Sequence, residues 1–343
     1  MQTYGHLRIK WTYSTHIVDR SRVKDLGPTA ACEDAGALVL ARVVRIGRHK
    51  EVEATNGRKV MLFPGDVVAG VLGHRYATDQ YEGFAAASTP EGHMLGIGGV
   101  CGEVRSKNEK MLDPTIIEWL GRMVDAHGRP LYLRDFARSP RREKGARKAR
   151  TVLVVGASMN AGKTTTAAQI IRSLTGQGAR VSAGKITGTA CWKDPGMFED
   201  AGARCVLDFT HFGYPSTAQM RQADLLGLVG DMRRSLLEDD PEFIVYEIAD
   251  GIFQRETRWL LEDPGFHDTV DAALFAAPDS PSCESGVRWL RERNYPVAGV
   301  AGPVANSQLG IAEVEDATGV PCLNGEMILG GALDKTLRPA SVA

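Results

Sequence analysis

Lys163, Thr164 and Thr165 directly follow Gly162, and six positions earlier Gly156 closes the apolar run Val152–Val155. An ammonium beside two hydroxyls, at the start of a helix-forming stretch, is suited to holding polyphosphate oxygens. Small residues let backbone N–H groups curl around the anion, and the helix adds unpaired N–H groups and the positive end of its dipole. Lys163 would bring a point charge to the terminal phosphates, and Thr164 a hydroxyl to Mg²⁺. The expected nucleotide-binding residues are therefore Gly156, Asn160, Ala161, Gly162, Lys163, Thr164 and Thr165, with Asn306 added below. The usual motif has four residues between its first glycine and Gly-Lys-Ser/Thr. Here Ala157 holds that first-glycine position.

Chemistry on a bound polyphosphate needs an acid for the metal shell and cations for the charge that moves. Phe243–Tyr246 form an apolar run that ends at Glu247, with Asp250-Gly251 just beyond, so Glu247 is the first choice and Asp250 the alternative. Cys205–Leu207 lead to Asp208, which could order Mg²⁺ or polarise an attacking hydroxyl or amine; Asp194 competes for that role. His211 is a candidate base. Lys185 ends the run RVSAGKI and could orient phosphate or an anionic substrate. Ligands of open parallel sheets sit outside the carboxyl ends of the strands, where these residues fall. The expected catalytic set is Lys163, Lys185, Asp208 and Glu247, and the expected metal set Thr164, Asp208 and Glu247.

The elements that must position these residues read as two domains. Residues 151–343 alternate apolar runs with helix-forming stretches and predict a parallel-sheet α/β domain. Residues 1–133 predict a smaller β-rich domain. Leu7, Ile9 and Trp11 alternate, ALVLARVVRIG is Val/Leu-rich, and Asn56-Gly57 and Pro64-Gly65-Asp66 mark turns. TIIEWLGRMVDAH (residues 115–127) is expected to be a terminal amphipathic helix with Ile116, Leu120 and Val124 on one face. A late run, VPCLNGEMI, is expected to hold a short strand. His74-Arg75 reads as a surface loop, and His16 with Asp19 finds no further metal ligands nearby.

The 343 residues carry a net charge of −1, but residues 1–150 hold 25 Lys/Arg against 17 Asp/Glu, and residues 151–343 hold 16 against 25. Opposite charge helps two domains dock, or gives the first an anionic partner. Residues 134–150 (RDFARSPRREKGARKAR) hold eight basic residues and read as a basic linker. Without interleaved aromatics, nucleic acid is not the expected partner. Six dispersed cysteines without a CxxC fit a reduced, cytoplasmic protein, and neither a signal peptide nor a membrane span is expected.

Taken together, residues 150–330 resemble the dethiobiotin synthetase-like branch of phosphate-loop proteins. That branch includes amidotransferase-type cobyrinic acid synthases, and a related set of bacterial proteins places an N-terminal domain before such an ATPase-like domain. The resemblance is carried by Gly156, five residues and Gly162-Lys163-Thr164; by Lys185 in GKITGT; by Glu247, although IADG replaces the usual glycines; by Asn306 in GPVANS; and by VPCLNGEM. It implies a P-loop fold, ATP and Mg²⁺ as cofactors, and Asn306 at the nucleobase edge. The expected function is an ATP-dependent kinase or ligase that activates a carboxylate or similar acceptor by phosphoryl transfer. Its expected partners are an anionic or carboxylate-containing small molecule and, in a homodimer, a second copy of the chain. The alternatives are a nucleotide-driven switch or partner-loading ATPase/GTPase, and a binding-only P-loop protein.

Overall fold

The computed structural model describes residues 7–29, 32–140 and 149–337. The chain forms two compact units. Unit 1 holds residues 1–139 together with residues 188–193 and 209–219; unit 2 holds residues 140–187, 194–208 and 220–343. The expected domains are residues 1–133 and 151–343 with a linker between them, whereas residues 188–193 and 209–219 lie in unit 1. The expected linker falls partly on residues 141–148, outside the described residues.

Unit 1 is β-rich. Its strands are β1 (Ile9–Trp11), β2 (Asp25–Gly27), β3 (Leu38–Arg45), β4 (Glu51–Glu53), β5 (Lys59–Met61), β6 (Val67–Leu72), β7 (Arg75–Tyr76), β8 (Tyr81–Phe84), β9 (Glu91–Met94), β10 (Val100–Lys107) and β11 (Thr115–Val124). Strands β6, β3, β11, β9 and β10 pair in that order, and β10 returns to pair with β6, which closes a five-stranded ring. Closure removes the open edges that a small sheet would expose. Strand alternation sends Leu38 and Leu40 into one apolar cluster and Val39, Ala41 and Val43 into another. Strands β4 and β5 form the hairpin expected at Asn56-Gly57, with Gly57 at φ +78°.

The expected helix over residues 115–127 is instead strand β11, paired with β3 on one side and β9 on the other. Ile116, Leu120 and Val124 are spaced by four, which fits a period of two as well as one of 3.6. Burial settles the period: Thr115, Ile117, Trp119, Gly121 and Met123 are buried, while Ile116, Glu118, Leu120 and Arg122 are half-buried. β-Branched and aromatic residues favour this outcome.

Unit 2 is built on a six-stranded parallel sheet in the order β14 (Cys205–Asp208), β13 (Val181–Lys185), β15 (Phe243–Glu247), β12 (Arg150–Gly156), β16 (Ala272–Ala276) and β17 (Val297–Ala301). Strand β12 is buried on both faces, as a strand covered by helices must be. Helix α1 (Lys163–Gly176) lays Ala167, Ile170, Ile171 and Leu174 on the cluster that holds Val152, Val154, Val181 and Val245. The remaining helices are α2 (Lys193–Asp200), α3 (Gln222–Leu237), α4 (Arg255–Leu261), α5 (Pro264–His267), α6 (Ser280–Arg291), α7 (Gln308–Thr318), α8 (Gly325–Leu329) and α9 (Asp334–Leu337). The late strand expected in VPCLNGEMI is reduced to a single bridge from Cys322 to Val300. Asn324 then caps α8 by accepting the Met327 N–H at 2.9 Å. No helix among the described residues is long and apolar enough to cross a membrane.

Candidate functional site

The loop from Gly156 to Lys163 joins β12, in the middle of the sheet, to α1. Asn160 (φ +59°) and Gly162 (φ +91°) both take the left-handed conformation. Such turns aim successive N–H groups at one point. Gly162 is the N-cap of α1 and offers no side-chain cap, so no side chain of the cap competes with an anion for the N–H groups of the first turn.

The spacing of Gly156 has a steric cause. A Cβ there would stand 2.5 Å from the Ala276 carbonyl oxygen and 3.0 Å from Cγ of Lys163. The lysine stem thus passes directly over Gly156, and its Nζ donates to the Ser158 carbonyl at 2.5 Å. A second glycine, Gly251, lies against the same loop: its Cβ would fall 2.1 Å from the Ala157 carbonyl oxygen. Ile252 N–H donates to Gly156 O at 3.2 Å. The single glycine of IADG therefore lets this segment approach the loop closely.

Glu247 ends β15 and is 2% exposed. Thr164 Oγ1 donates to its Oε1 at 2.8 Å. Its Oε2 is buried with no hydrogen-bond partner among the described residues. Burial pushes the Glu247 carboxyl above its ordinary range; the Lys185 ammonium opposes this, and the Asp194 charge adds to it. Burial likewise holds Lys163 below its ordinary range, against the pull of Glu247 and Asp250. A buried carboxylate oxygen whose lone pairs accept no hydrogen bond among the described residues, beside a threonine hydroxyl, fits a hard divalent cation, because Mg²⁺ favours oxygen donors.

Strand register sets the next layer. Lys185 is level with Glu247 on one side and Asp208 on the other. Residues paired across neighbouring strands share a face, so the row reads acid, base, acid. Lys185 Nζ lies 3.5 Å from Glu247 Oε1 and makes a close ion pair with Asp194, in the first turn of α2. Asp194 is thus the counter-ion of Lys185. Asp208 is fully buried at the end of β14. Asp250 has φ +58° and makes the turn before Gly251.

Asn306 ends a short 3-10 helix, Pro303–Asn306, and is exposed. Gly302 brings this segment to the phosphate loop, where a Cβ would stand 2.4 Å from Ala161 O. Ala161 is buried and Thr165 exposed. Residues placed together in unit 2 are therefore the loop itself, Lys163, Thr164, Glu247, Lys185 and Asp194. His211 lies in unit 1. His74 and Arg75 are structural there: Ala85 N–H donates to His74 Nδ1 at 3.2 Å, and Arg75 donates to Gln80 Oε1 at 2.8 Å. Sequence reasoning missed Glu53, a buried acid of unit 1 that accepts the Trp192 N–H at 2.6 Å and the Cys191 thiol at 3.6 Å. Alternation puts Glu51 and Glu53 on one face of β4, opposite Val52, so the strand pattern gave no sign that Glu53 would be buried.

No family model matches the chain, and no curated protein matches it. Solved structures with a similar fold include the signal recognition particle receptor FtsY from Elizabethkingia anophelis, at 14% identity and a TM-score of 0.36, over 54% of this chain and 66% of that one. Another is the 54 kDa signal recognition particle protein from Aeropyrum pernix K1 in complex with GDP, at 19% and 0.37, over 60% and 53%. Chloroplast FtsY from Physcomitrella patens matches at 14% and 0.37, over 55% and 62%. The chain thus covers between about half and two thirds of the length of each of these structures. At these identities and TM-scores the likeness shows no family for this chain. Unit 2 is a parallel-sheet α/β domain with a glycine turn and a helix after its middle strand β12, and a β-rich unit accompanies it in the same chain.

Proposed function

We propose that the chain binds a nucleoside triphosphate with Mg²⁺, cleaves its terminal phosphoryl group, and uses nucleotide state as a switch read by unit 1. The loop N–H groups and Lys163 would hold the phosphates, and Thr164 with Glu247 would hold the cation, Asp208 being a further candidate. Mg²⁺, when bound, supplies neutralisation of charge on the phosphate oxygens. The loop dipoles and the Lys163 ammonium act on the same charge, in a site where burial strengthens them. ATP is the nucleotide implied by the resemblance, with GTP as its competitor.

One observation carries the switch reading. Strands β13 and β14 end at Lys185 and Asp208, and the chain then runs directly into residues 188–193 and 209–219, which belong to unit 1. A shift of Lys185 or Asp208 on phosphoryl loss would pass along the backbone into those segments. Hydrogen exchange of peptides covering residues 188–193 and 209–219 tests this. Their protection should differ between triphosphate and diphosphate states, and equal protection in both would sink the switch reading.

A second reading, the ATP-dependent small-molecule kinase or ligase, is favoured by Lys185. Its ammonium already holds the carboxylate of Asp194, so a carboxylate substrate could take that carboxylate's place. Turnover that rises with one metabolite and not with a protein partner would select this reading.

A further inference from the structure

We propose that unit 1 carries a divalent transition-metal site built on His16 and His211. The two imidazoles lie far apart in sequence, and the fold brings their rings to 4.5 Å between centroids at 71°. Their ring nitrogens come within 4.8 Å of one another. The Thr210 hydroxyl, buried, lies 2.9 Å from His16 Nε2. Two nitrogen donors are therefore neighbours, and a hydroxyl oxygen stands beside one of them.

The His16 ring and the His211 backbone are set in place before any ion arrives. Tyr13, 1% exposed, stacks flat on His16 at 4.7 Å and 8°. Trp192 meets the Tyr13 ring edge-on at 5.6 Å, and its backbone N–H donates to Glu53. His16 N–H donates to Tyr13 O at 2.9 Å, and the backbone of His211 is fixed by the Arg138 N–H, which donates to its carbonyl at 2.7 Å. Both histidines are half-buried, so an ion can reach them.

Asp19, the acid nearest His16 in sequence, is taken up elsewhere: it accepts the Ser21 N–H at 2.9 Å and caps a turn. The partner of His16 is instead supplied by the segment of unit 1 that comes from the second half of the chain, so no short spacing motif could announce it. Imidazole nitrogen suits Zn²⁺, Co²⁺ and Ni²⁺ better than Mg²⁺ or Ca²⁺. Metal–nitrogen bonds of about 2.0–2.1 Å need the ring nitrogens only somewhat closer than they stand, a change within reach of side-chain rotation. Two imidazoles leave coordination positions for water or an incoming ligand, the pattern of an open site.

The test uses the full chain, stripped with EDTA and titrated with Co²⁺ and then Zn²⁺. The expected result is one Co²⁺ per chain with visible d–d absorption, displaced by Zn²⁺. His211→Gln should weaken binding by at least about tenfold, and His16→Gln with His211→Gln should abolish it. Lys163→Ala, which is directed at the nucleotide site, should leave it unchanged. In the wild-type chain, imidazole nitrogen NMR should show two of the eight histidines moving on Zn²⁺ addition, which needs no variant to fold. Absence of d–d absorption, unaltered binding in the double variant, or movement of histidines other than His16 and His211 would overturn the proposal.

Discussion

Thr164 Oγ1 donates to Glu247 Oε1 at 2.8 Å, which ties the first turn of α1 to the carboxyl end of β15. The hydroxyl and carboxylate expected to share a cation are thus already neighbours, and the second carboxylate oxygen is left without a partner among the described residues. Glu247→Gln keeps the shape and removes the charge. We predict that it lowers Mg²⁺-dependent turnover by about 10²-fold or more, the scale seen when one electrostatic group of such a site is lost. Nucleotide binding measured in EDTA should persist. An unaltered Mg²⁺ titration would remove Glu247 from the metal set.

Lys185 holds the charge balance of the buried row. It is 5% exposed and pairs with Asp194 and Glu247. Lys185→Met would leave buried carboxylates unpaired, which costs about 3–5 kcal/mol when one partner of a buried pair is removed. Urea unfolding should report a loss of that size for Lys185→Met. The loss should be smaller for Asp194→Asn, because Asp194 is 18% exposed. Equal stability of Lys185→Met and wild type would show the pair to be solvent-screened.

His49 makes stability depend on pH. It is 5% exposed, and its Nδ1 lies 3.1 Å from Met94 O, the geometry of a neutral donor tautomer. Burial, helped by the Arg75 charge and opposed by the Met94 hydrogen bond, lowers its pKa to about 3 from 6.5. Below pH 6.5 the unfolded chain takes up a proton that the folded chain refuses. Stability from this group is full above pH 6.5 and falls by about 1.4 kcal/mol per pH unit as pH drops towards 3. Denaturation at pH 7.5 and pH 5 should show that slope, and His49→Gln should flatten it. An unchanged slope in the variant would assign the effect elsewhere.

Gly286 tests the packing of α6 on the sheet. An added Cβ would stand 2.1 Å from the ring of Phe275, which is 1% exposed. Gly286→Ala gains about 1 kcal/mol of helix propensity but overpacks a buried ring, at a cost of about 1–3 kcal/mol or more. The clash should win, and thermal melts should show a net loss. A more stable variant would mean that α6 is free to shift.

The parallel sheet, the loop and the strand-end placement of Lys185 and Glu247 were legible because each rests on local order: apolar runs, a glycine turn, a helix start. Gly156 looked misplaced only because the spacing rule does not include the Lys163 stem that crosses it. β11 was misread because a spacing of four fits both periods, and only the neighbouring strands break the tie. Residues 188–193 and 209–219 were assigned to the nucleotide domain by chain order. Their membership of unit 1 depends on long-range partners such as Glu53 for Trp192, which no local pattern encodes. The pairing of His16 with His211 was hidden for the same reason.

The central claim is that Lys163 and the loop from Gly156 to Thr165 bind a Mg²⁺-nucleoside triphosphate. Calorimetric titration of the wild-type chain and of Lys163→Ala with Mg²⁺-ATP and Mg²⁺-GTP tests it most directly, with circular dichroism to show that both are folded. One site per chain in the wild type, lost or weakened by at least about tenfold in Lys163→Ala for the preferred nucleotide, is the predicted result. Binding of neither nucleotide to the wild type, or equal binding to both proteins, would contradict it.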